Sequence, residues 1–331
     1  GVVELAGLSV RPHRREDLIT KITACGIEFT EPRLWLECLN VWMDGDREMI
    51  HFLKRLCGMS LFGEVTEHIL PIHHGDGRNG KSTCLGTIQS ILGDYATTLP
   101  IQVLLHQERT SSGPTPELAE LKGMRFVTSV EPDEGVRLAE GLIKQLTGDD
   151  PIKARYLHRN PIEFNPSHTI HLAVNRLPQI RGRDRGIWRR VKKIPWVVEI
   201  PEHKQDKRLK HKLRDEWPRI LGWLVEGAAE YHADGLQPPR KVLEATGEYE
   251  SREDIVGRFL AACCSTGEGL WVYAGDLYRA YERWAEGAEA VLSQAKFGRA
   301  MTELGFRRSK SAVGGRTTYE GVGLLATGAE P

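Results

Sequence analysis

The sequence predicts an α/β fold built on a largely parallel sheet, and two observations carry that prediction. Four apolar runs, HILPIHH (68–74), MRFVTSV (124–130), TIHLAVN (169–175) and VKKIPWVV (191–198), read as buried strands, with helical segments beginning near Lys81, Pro116 and Leu138. The first run feeds a glycine-rich loop, Gly75-Asp76-Gly77-Arg78-Asn79-Gly80-Lys81-Ser82, that continues as the helical stretch TCLGTIQSIL.

In chain order, residues 1–30 are a weakly patterned lead-in. The opening GVVELAGLSV is strand-like, as expected of a chain that begins inside a longer protein, although a short native N-terminus would read the same. Residues 32–62 read as helical: Pro32 suits a helix start, and Leu34, Leu36, Leu39, Trp42, Met49, Phe52, Leu53 and Leu56 recur at helical spacing. We expect a helical N-terminal subdomain over 1–62 and the α/β core over 63–202.

The loop over 75–82 matches G-x-x-x-x-G-K-[ST] at every fixed position. Gly75, Gly77 and Gly80 permit backbone angles and close approaches that a Cβ would block. The N–H groups of such a loop point inward as an anion nest, and a helix from Lys81 aims its positive end at the same place. Lys81 reaches β and γ phosphates, and the Ser82 hydroxyl ligates Mg²⁺. The expected ATP-binding residues are Gly75, Asp76, Gly77, Arg78, Asn79, Gly80, Lys81, Ser82 and Thr83. A motor of this kind needs a second strand ending in acid, one carboxylate for the metal's hydration shell and one to polarise the attacking water. MRFVTSV ends at Glu131, followed by Pro132, Asp133 and Glu134. Glu131 is the first choice for metal and water, with Glu134 a further catalytic candidate; spacing does not divide the roles among Glu131, Asp133 and Glu134.

Residues 203–233 read as helical, with Leu213, Trp217, Ile220, Leu221, Leu224 and Ala228 on one stripe, and Gly235-Leu-Gln-Pro-Pro239 reads as a loop. A helical extension and linker is expected over 203–245. Beyond it, three short helices (253–264, 274–285, 294–304) precede two strand-like arms around Gly314-Gly315, the outline of a winged-helix domain over 246–331. In the third helix Phe297, Met301 and Leu304 should face inward. Lys296, Arg299, Arg307, Arg308, Lys310 and Arg316 cluster on that helix and the wing, as phosphate and groove contacts require. Such domains also dock proteins, so duplex or origin DNA and a protein partner both remain open for this unit.

Composition narrows the class. Lys plus Arg and Asp plus Glu are 45 each, so the chain has no net charge to coat nucleic acid indiscriminately, though a local basic channel is compatible with that balance. The six cysteines form no C-x-x-C pair, which argues against zinc ribbons and for reduced thiols in a cytosol. No apolar run reaches transmembrane length, and no signal-peptide pattern opens the chain.

The order of motifs resembles one family. Glu131-Pro-Asp-Glu-Gly135, then LIKQLTGDDPIKAR (142–155), HLAVNRLPQI (171–180) and GIWRRVKKIPW (186–196) look like superfamily 3 of the helicases, closest to the primase-helicases of phages, plasmids and large DNA viruses. The resemblance covers about residues 30–200. It implies an AAA+ ATPase that assembles as a ring, usually a homo-hexamer, around DNA, with ATP and Mg²⁺ as cofactors and the cytoplasm of a bacterial host as its place. By this resemblance Asn175 is the sensor 1 amide near the γ-phosphate, and Arg189 or Arg190 is the arginine finger offered to a neighbouring subunit. Lys144 lies where a further trans-acting cation is found. Lys153, Arg155, His158 and Arg159 match the hairpin that projects into the ring's channel, where they would meet phosphates of single-stranded DNA without sequence choice. The family's larger members carry an upstream primase domain; no such function is assigned to this chain. Two other readings compete: an ATP-dependent DNA-binding switch or loader that does not unwind, and a small-molecule P-loop kinase, which would need neither Asn175, a trans arginine nor a basic hairpin.

Overall fold

A computed structural model of the 331-residue chain describes residues 1–106, 115–130, 136–180, 185–286, 291–310 and 315–325. It divides into two compact units, 1–180 with 185–247, and 181–184 with 248–331.

The first unit opens with a small antiparallel pair, β1 (Val2–Glu4) and β2 (Ser9–Arg11). Helices α1 (Arg33–Trp42) and α2 (Arg47–Met59) follow. Their apolar residues recur every three to four positions: Trp35, Cys38, Leu39 and Trp42 are buried on α1, and Met49, Phe52, Leu53, Leu56 and Cys57 on α2. Asp46 caps α2 by accepting from Met49 N–H at 3.1 Å. Pro32 offers α1 no such cap; the Glu216 carboxylate, remote in sequence, accepts from Leu34 and Trp35 N–H at 3.1 and 2.9 Å instead.

Strand β3 (Leu70–His74) leads into helix α3 (Lys81–Leu92), then β4 (Ala96–Thr98), α4 (Ile101–Leu104), α5 (Pro116–Ala119), β5 (Phe126–Val130) and α6 (Glu140–Leu146). A two-stranded hairpin, β6 (Ile152–Ala154) and β7 (Ile162–Phe164), precedes β8 (Thr169–Val174), α7 (Arg185–Trp188) and β9 (Val191–Pro195). Five of these strands form one sheet in the order β4-β5-β8-β3-β9, every pair parallel. Parallel pairing puts all carboxyl ends at one edge, where α/β proteins bind ligands. The loop after β3 and Asn175 after β8 therefore meet there, and the end of β5 lies one strand further, with Val130 in register with Ala173.

Helices α8 (Leu209–Arg214) and α9 (Trp217–Asp234) complete the unit. Helix α9 packs along α2, where Lys54 Nζ bridges Glu226 and Glu230 at 2.9 and 2.7 Å. Residues 240–253, expected in part as linker, are helix α10 (Arg240–Glu253). Val242 packs into the first unit's core, and Thr246 Oγ1 accepts from Lys193 N–H at 2.9 Å, contacts that a linker reading does not foresee.

The second unit runs α11 (Ile255–Cys263), β10 (Cys264–Tyr273), α12 (Ala274–Trp284), α13 (Gln294–Glu303), β11 (Arg308–Lys310) and β12 (Thr317–Leu324). Its antiparallel sheet has the order β10-β12-β11. Val256, Phe259, Leu277, Tyr281, Phe297, Met301, Tyr319 and Val322 form its core. Phe297 and Met301 face inward as expected, but Leu304 is 40% exposed, because α13 ends at Glu303 and Leu304 leaves the helical stripe as its C-cap. Strand β10 was not anticipated; its run CSTGEGLWVY carries too few apolar residues to stand out from a loop.

Candidate functional site

The loop from Gly75 to Gly80 is shaped from below. A Cβ on Gly80 would lie 2.2 Å from Trp42 Nε1, and one on Gly75 would lie 2.3 Å from the Trp196 carbonyl oxygen. Gly80 also has φ +85°, a left-handed angle that side chains resist. Asn79, buried, braces the turn: its Nδ2 donates to Trp196 O at 3.3 Å and its Oδ1 accepts from Lys81 N–H at 3.3 Å. The 12-residue α3 begins immediately after, with Ser82 exposed and Thr83 half-buried in its first turn, and Asp76 and Arg78 exposed on the loop.

Lys81 is only 4% exposed, and its ammonium donates to Gly75 O at 2.9 Å, Val174 O at 2.5 Å and Asn175 Oδ1 at 3.2 Å. The sheet thus joins the loop lysine to the amide at the end of the neighbouring strand. A helix N-terminus and a buried ammonium converge at this loop, where a phosphate chain would lie, and a group that accepts hydrogen bonds and carries negative charge fits them. Glu131, Asp133 and Glu134 lie outside the described residues.

Arg189 and Arg190 part company. Arg190 is 7% exposed; its Nε donates to Thr147 Oγ1 at 3.1 Å and its Nη1 to Gly186 O at 2.7 Å. Arg189 is exposed, as a cation offered to another molecule must be. Lys144 is half-buried on α6.

Residues 153–159 form one arm and the tip of the β6–β7 hairpin. Lys153 is opposite Glu163, 3.9 Å away, both exposed. His158, with φ +56°, and Arg159 are exposed at the tip. Arg155 is half-buried, and its backbone pairs with Thr115. The hairpin base is held by Tyr156, whose hydroxyl donates to Ala119 O at 3.1 Å.

Beneath the loop runs a buried polar chain that sequence reading missed. Trp196 Nε1–H donates to His73 Nδ1 at 3.2 Å, so His73 carries its proton on Nε2. That proton is donated to His171 Nδ1 at 3.1 Å, which makes His171 Nε2–H the donor to Ser60 Oγ at 3.1 Å; Ser60 in turn donates to Leu56 O at 3.2 Å. Every link has one donor and one acceptor with both imidazoles neutral. Burial pushes the His171 pKa down to about 3 and that of His73 well below its usual value, His171 and Lys81 adding to the latter. The signal available in sequence was a histidine at an inward position of each of two apolar strands.

No family model matches this chain. It is 30% identical over 260 residues to a protein of Acanthamoeba polyphaga mimivirus named as a helicase, covering 72% of this chain and 27% of that protein. It is 26% identical over 252 residues to one of Frog virus 3 named as a helicase, covering 70% and 26%. Proteins of African swine fever virus named as primases match at 27% over 134 residues, 40% of this chain and 14% of theirs. The chain thus spans about a quarter of the length of the curated helicase-named relatives it matches. Among solved structures, the C-terminal region of NrS-1 superposes with a TM-score of 0.55 at 13% identity, covering 91% of this chain and 78% of that one, a likeness of fold. Among the described residues, no helix is long and apolar enough to cross a membrane.

Proposed function

We infer that this chain is the ATP-hydrolysing motor of a replication helicase, a superfamily 3 AAA+ domain of the phage and plasmid type that works as a homo-hexameric ring. The observation that carries the reading is the bond from Lys81 to Asn175 across two parallel strands, which unites the phosphate loop with a strand-end amide able to orient water. The sheet order and the relatives' names support it.

In this reading Gly75–Thr83 bind the phosphates of ATP, and Lys81 exchanges its carbonyl partners for β- and γ-oxygens. Ser82 and Glu131 would hold Mg²⁺, which would supply charge neutralisation for the phosphates. Glu131 or Glu134 polarises the attacking water, and Asn175 orients it. Arg189 reaches the neighbouring subunit's ATP, while Arg190 holds α7 against α6. The hairpins bearing Lys153, Arg155, His158 and Arg159 grip single-stranded DNA in a central channel through its phosphates. The helix–strand–helix–helix–strand–strand order of the second unit supports a winged helix, with Lys296, Arg299, Arg307, Arg308, Lys310 and Arg316 all exposed for duplex or origin DNA.

The test is the ATPase rate with and without single-stranded DNA for the wild type, Lys81→Ala and His158→Ala/Arg159→Ala. DNA should stimulate the wild type, Lys81→Ala should be inactive, and the hairpin variant should keep its basal rate and lose stimulation. A robust ATPase indifferent to single strands would remove the channel argument and leave a DNA-bound switch or loader.

A further inference from the structure

The outward face of the second unit's sheet carries a row of side chains in which Trp271 and Glu320, used by nothing above, stand beside Arg307 of the basic cluster. Trp271 on β10 is in register with Glu320 on β12. Glu320 N–H donates to Arg307 O at 3.0 Å, and Arg308 is in register with Tyr319, so Arg307 stands opposite Glu320 at the head of β11. An indole, a carboxylate and a guanidinium therefore lie side by side across three strands. All three line one cavity of about 600 Å³, as do Glu268 and Lys310. Trp271 is 56% exposed, unlike the inward Val272 and Tyr319, and Tyr273 meets it edge-on at 5.2 Å between centroids. Between Thr266 and Trp271 the register shifts, and Glu268, Gly269 and Leu270 of this irregular segment line the cavity.

A large exposed indole beside charges of both signs suits a flat partner that carries hydrogen-bond donors and a negative group. A nucleotide has those properties. Its face stacks on the indole, its N–H edge meets the carboxylate, and its phosphate meets Arg307 and Lys310. Guanine presents two adjacent N–H groups to a carboxylate, adenine and cytosine one amine, and thymine a single N–H between repelling carbonyls. We propose that this face is a binding site for an unpaired base of single-stranded nucleic acid, in which Trp271 stacks on the base, Glu320 selects guanine, and Arg307 and Lys310 hold the phosphate. The site is separate from the phosphate loop and the β6–β7 hairpin and does not rest on their assignment.

The experiment measures fluorescence anisotropy of labelled thymidine oligonucleotides whose central position is guanine, thymine or abasic, titrated with the full chain. Wild type should bind the guanine strand tightest and the abasic strand weakest. Trp271→Ala should weaken the guanine strand by about tenfold, the scale of one stacked base, and Trp271→Phe should restore most of it. Glu320→Gln should bring the guanine and thymine strands together. Basal ATPase and the thermal midpoint should be unchanged in Trp271→Phe and Glu320→Gln. Equal affinity of wild type for all three strands, or Trp271→Ala binding the guanine strand as wild type does, overturns the proposal. So does an equal loss for the matching duplex, which would make the face a duplex contact. Repeating the titration in His158→Ala/Arg159→Ala separates the two readings: the motor reading fails if strands never stimulate ATPase, and this site fails if the Trp271 effect is absent, whichever way the other turns out.

Discussion

The phosphate loop and the tip of the β6–β7 hairpin are both short turns after a strand, yet they are built in opposite ways. The loop is over-determined. Trp42 and Trp196 leave no space for a Cβ at Gly80 or Gly75, Asn79 ties it down, and a satisfied histidine chain runs underneath. The hairpin tip, Leu157 to Asn160, is exposed, and its base is tied through Thr115 and Ala119. A site that stabilises charge in a transition state needs donors fixed in advance, because reorganisation would consume the gain. A surface that grips any phosphate of any strand needs cations and reach, with little fixed geometry.

The sharpest way to test this contrast uses two adjacent arginines that repeat it in miniature. Arg189→Ala should lower the ATPase rate by about 10³-fold with unchanged stability, as expected for a trans arginine. Arg190→Ala should instead cost about 1–3 kcal/mol of stability by stripping Thr147 and Gly186 of their donor. Steady-state rates and urea midpoints on both variants decide it, and a reversed pattern would exchange their roles. Next in size, Gly80→Ala forces a Cβ against the Trp42 indole. We expect about 1–3 kcal/mol lost in urea unfolding, together with ATP binding too weak to detect by titration calorimetry. Retention of both properties would mean the loop is free to shift.

The histidine chain makes the loop's floor sensitive to acid. An unfolded imidazole takes up its proton near 6.5, whereas His171 does so only near 3 in the fold. The unfolded state therefore binds more protons between those values. Stability is full above about pH 6.5 and declines on acidification, by roughly 1.4 kcal/mol per pH unit for each histidine held neutral. Urea midpoints at pH 7 and pH 5 should show the fall, and His171→Gln should shrink it; a midpoint flat across this range would contradict the neutral chain. The smallest effect belongs to the hairpin. His158→Ala/Arg159→Ala should change the unfolding free energy from urea titration by less than about 0.5 kcal/mol, because neither side chain is buried.

Local chemistry was legible wherever it repeats or is stereochemically demanding. The spacing of Gly75, Gly80, Lys81 and Ser82 predicts a phosphate loop because few residue types satisfy its backbone angles, and the largely apolar runs mark β3, β5 and β8 because strands buried in the sheet's interior are mostly apolar, while β9 was marked by its apolar ends despite Lys192 and Lys193. The stripes of α1, α2 and α9 were readable for the same kind of reason. Strands β4 and β10 were not, since three residues or a polar edge leave no periodic trace.

What the sequence could not decide was which side chains meet. Arg189 and Arg190 are equivalent as letters, and only the packing of α7 against Thr147 buries one and exposes the other. Lys81 and Asn175 lie 94 positions apart and are joined only because β3 and β8 pair in parallel. The chain from Trp196 through His73 and His171 to Ser60, and the row from Trp271 through Glu320 to Arg307, draw on segments that share no local pattern. Local backbone preference and burial are written in neighbouring residues, whereas hydrogen-bond partners and cross-strand rows depend on long-range register, which is set only when the core closes.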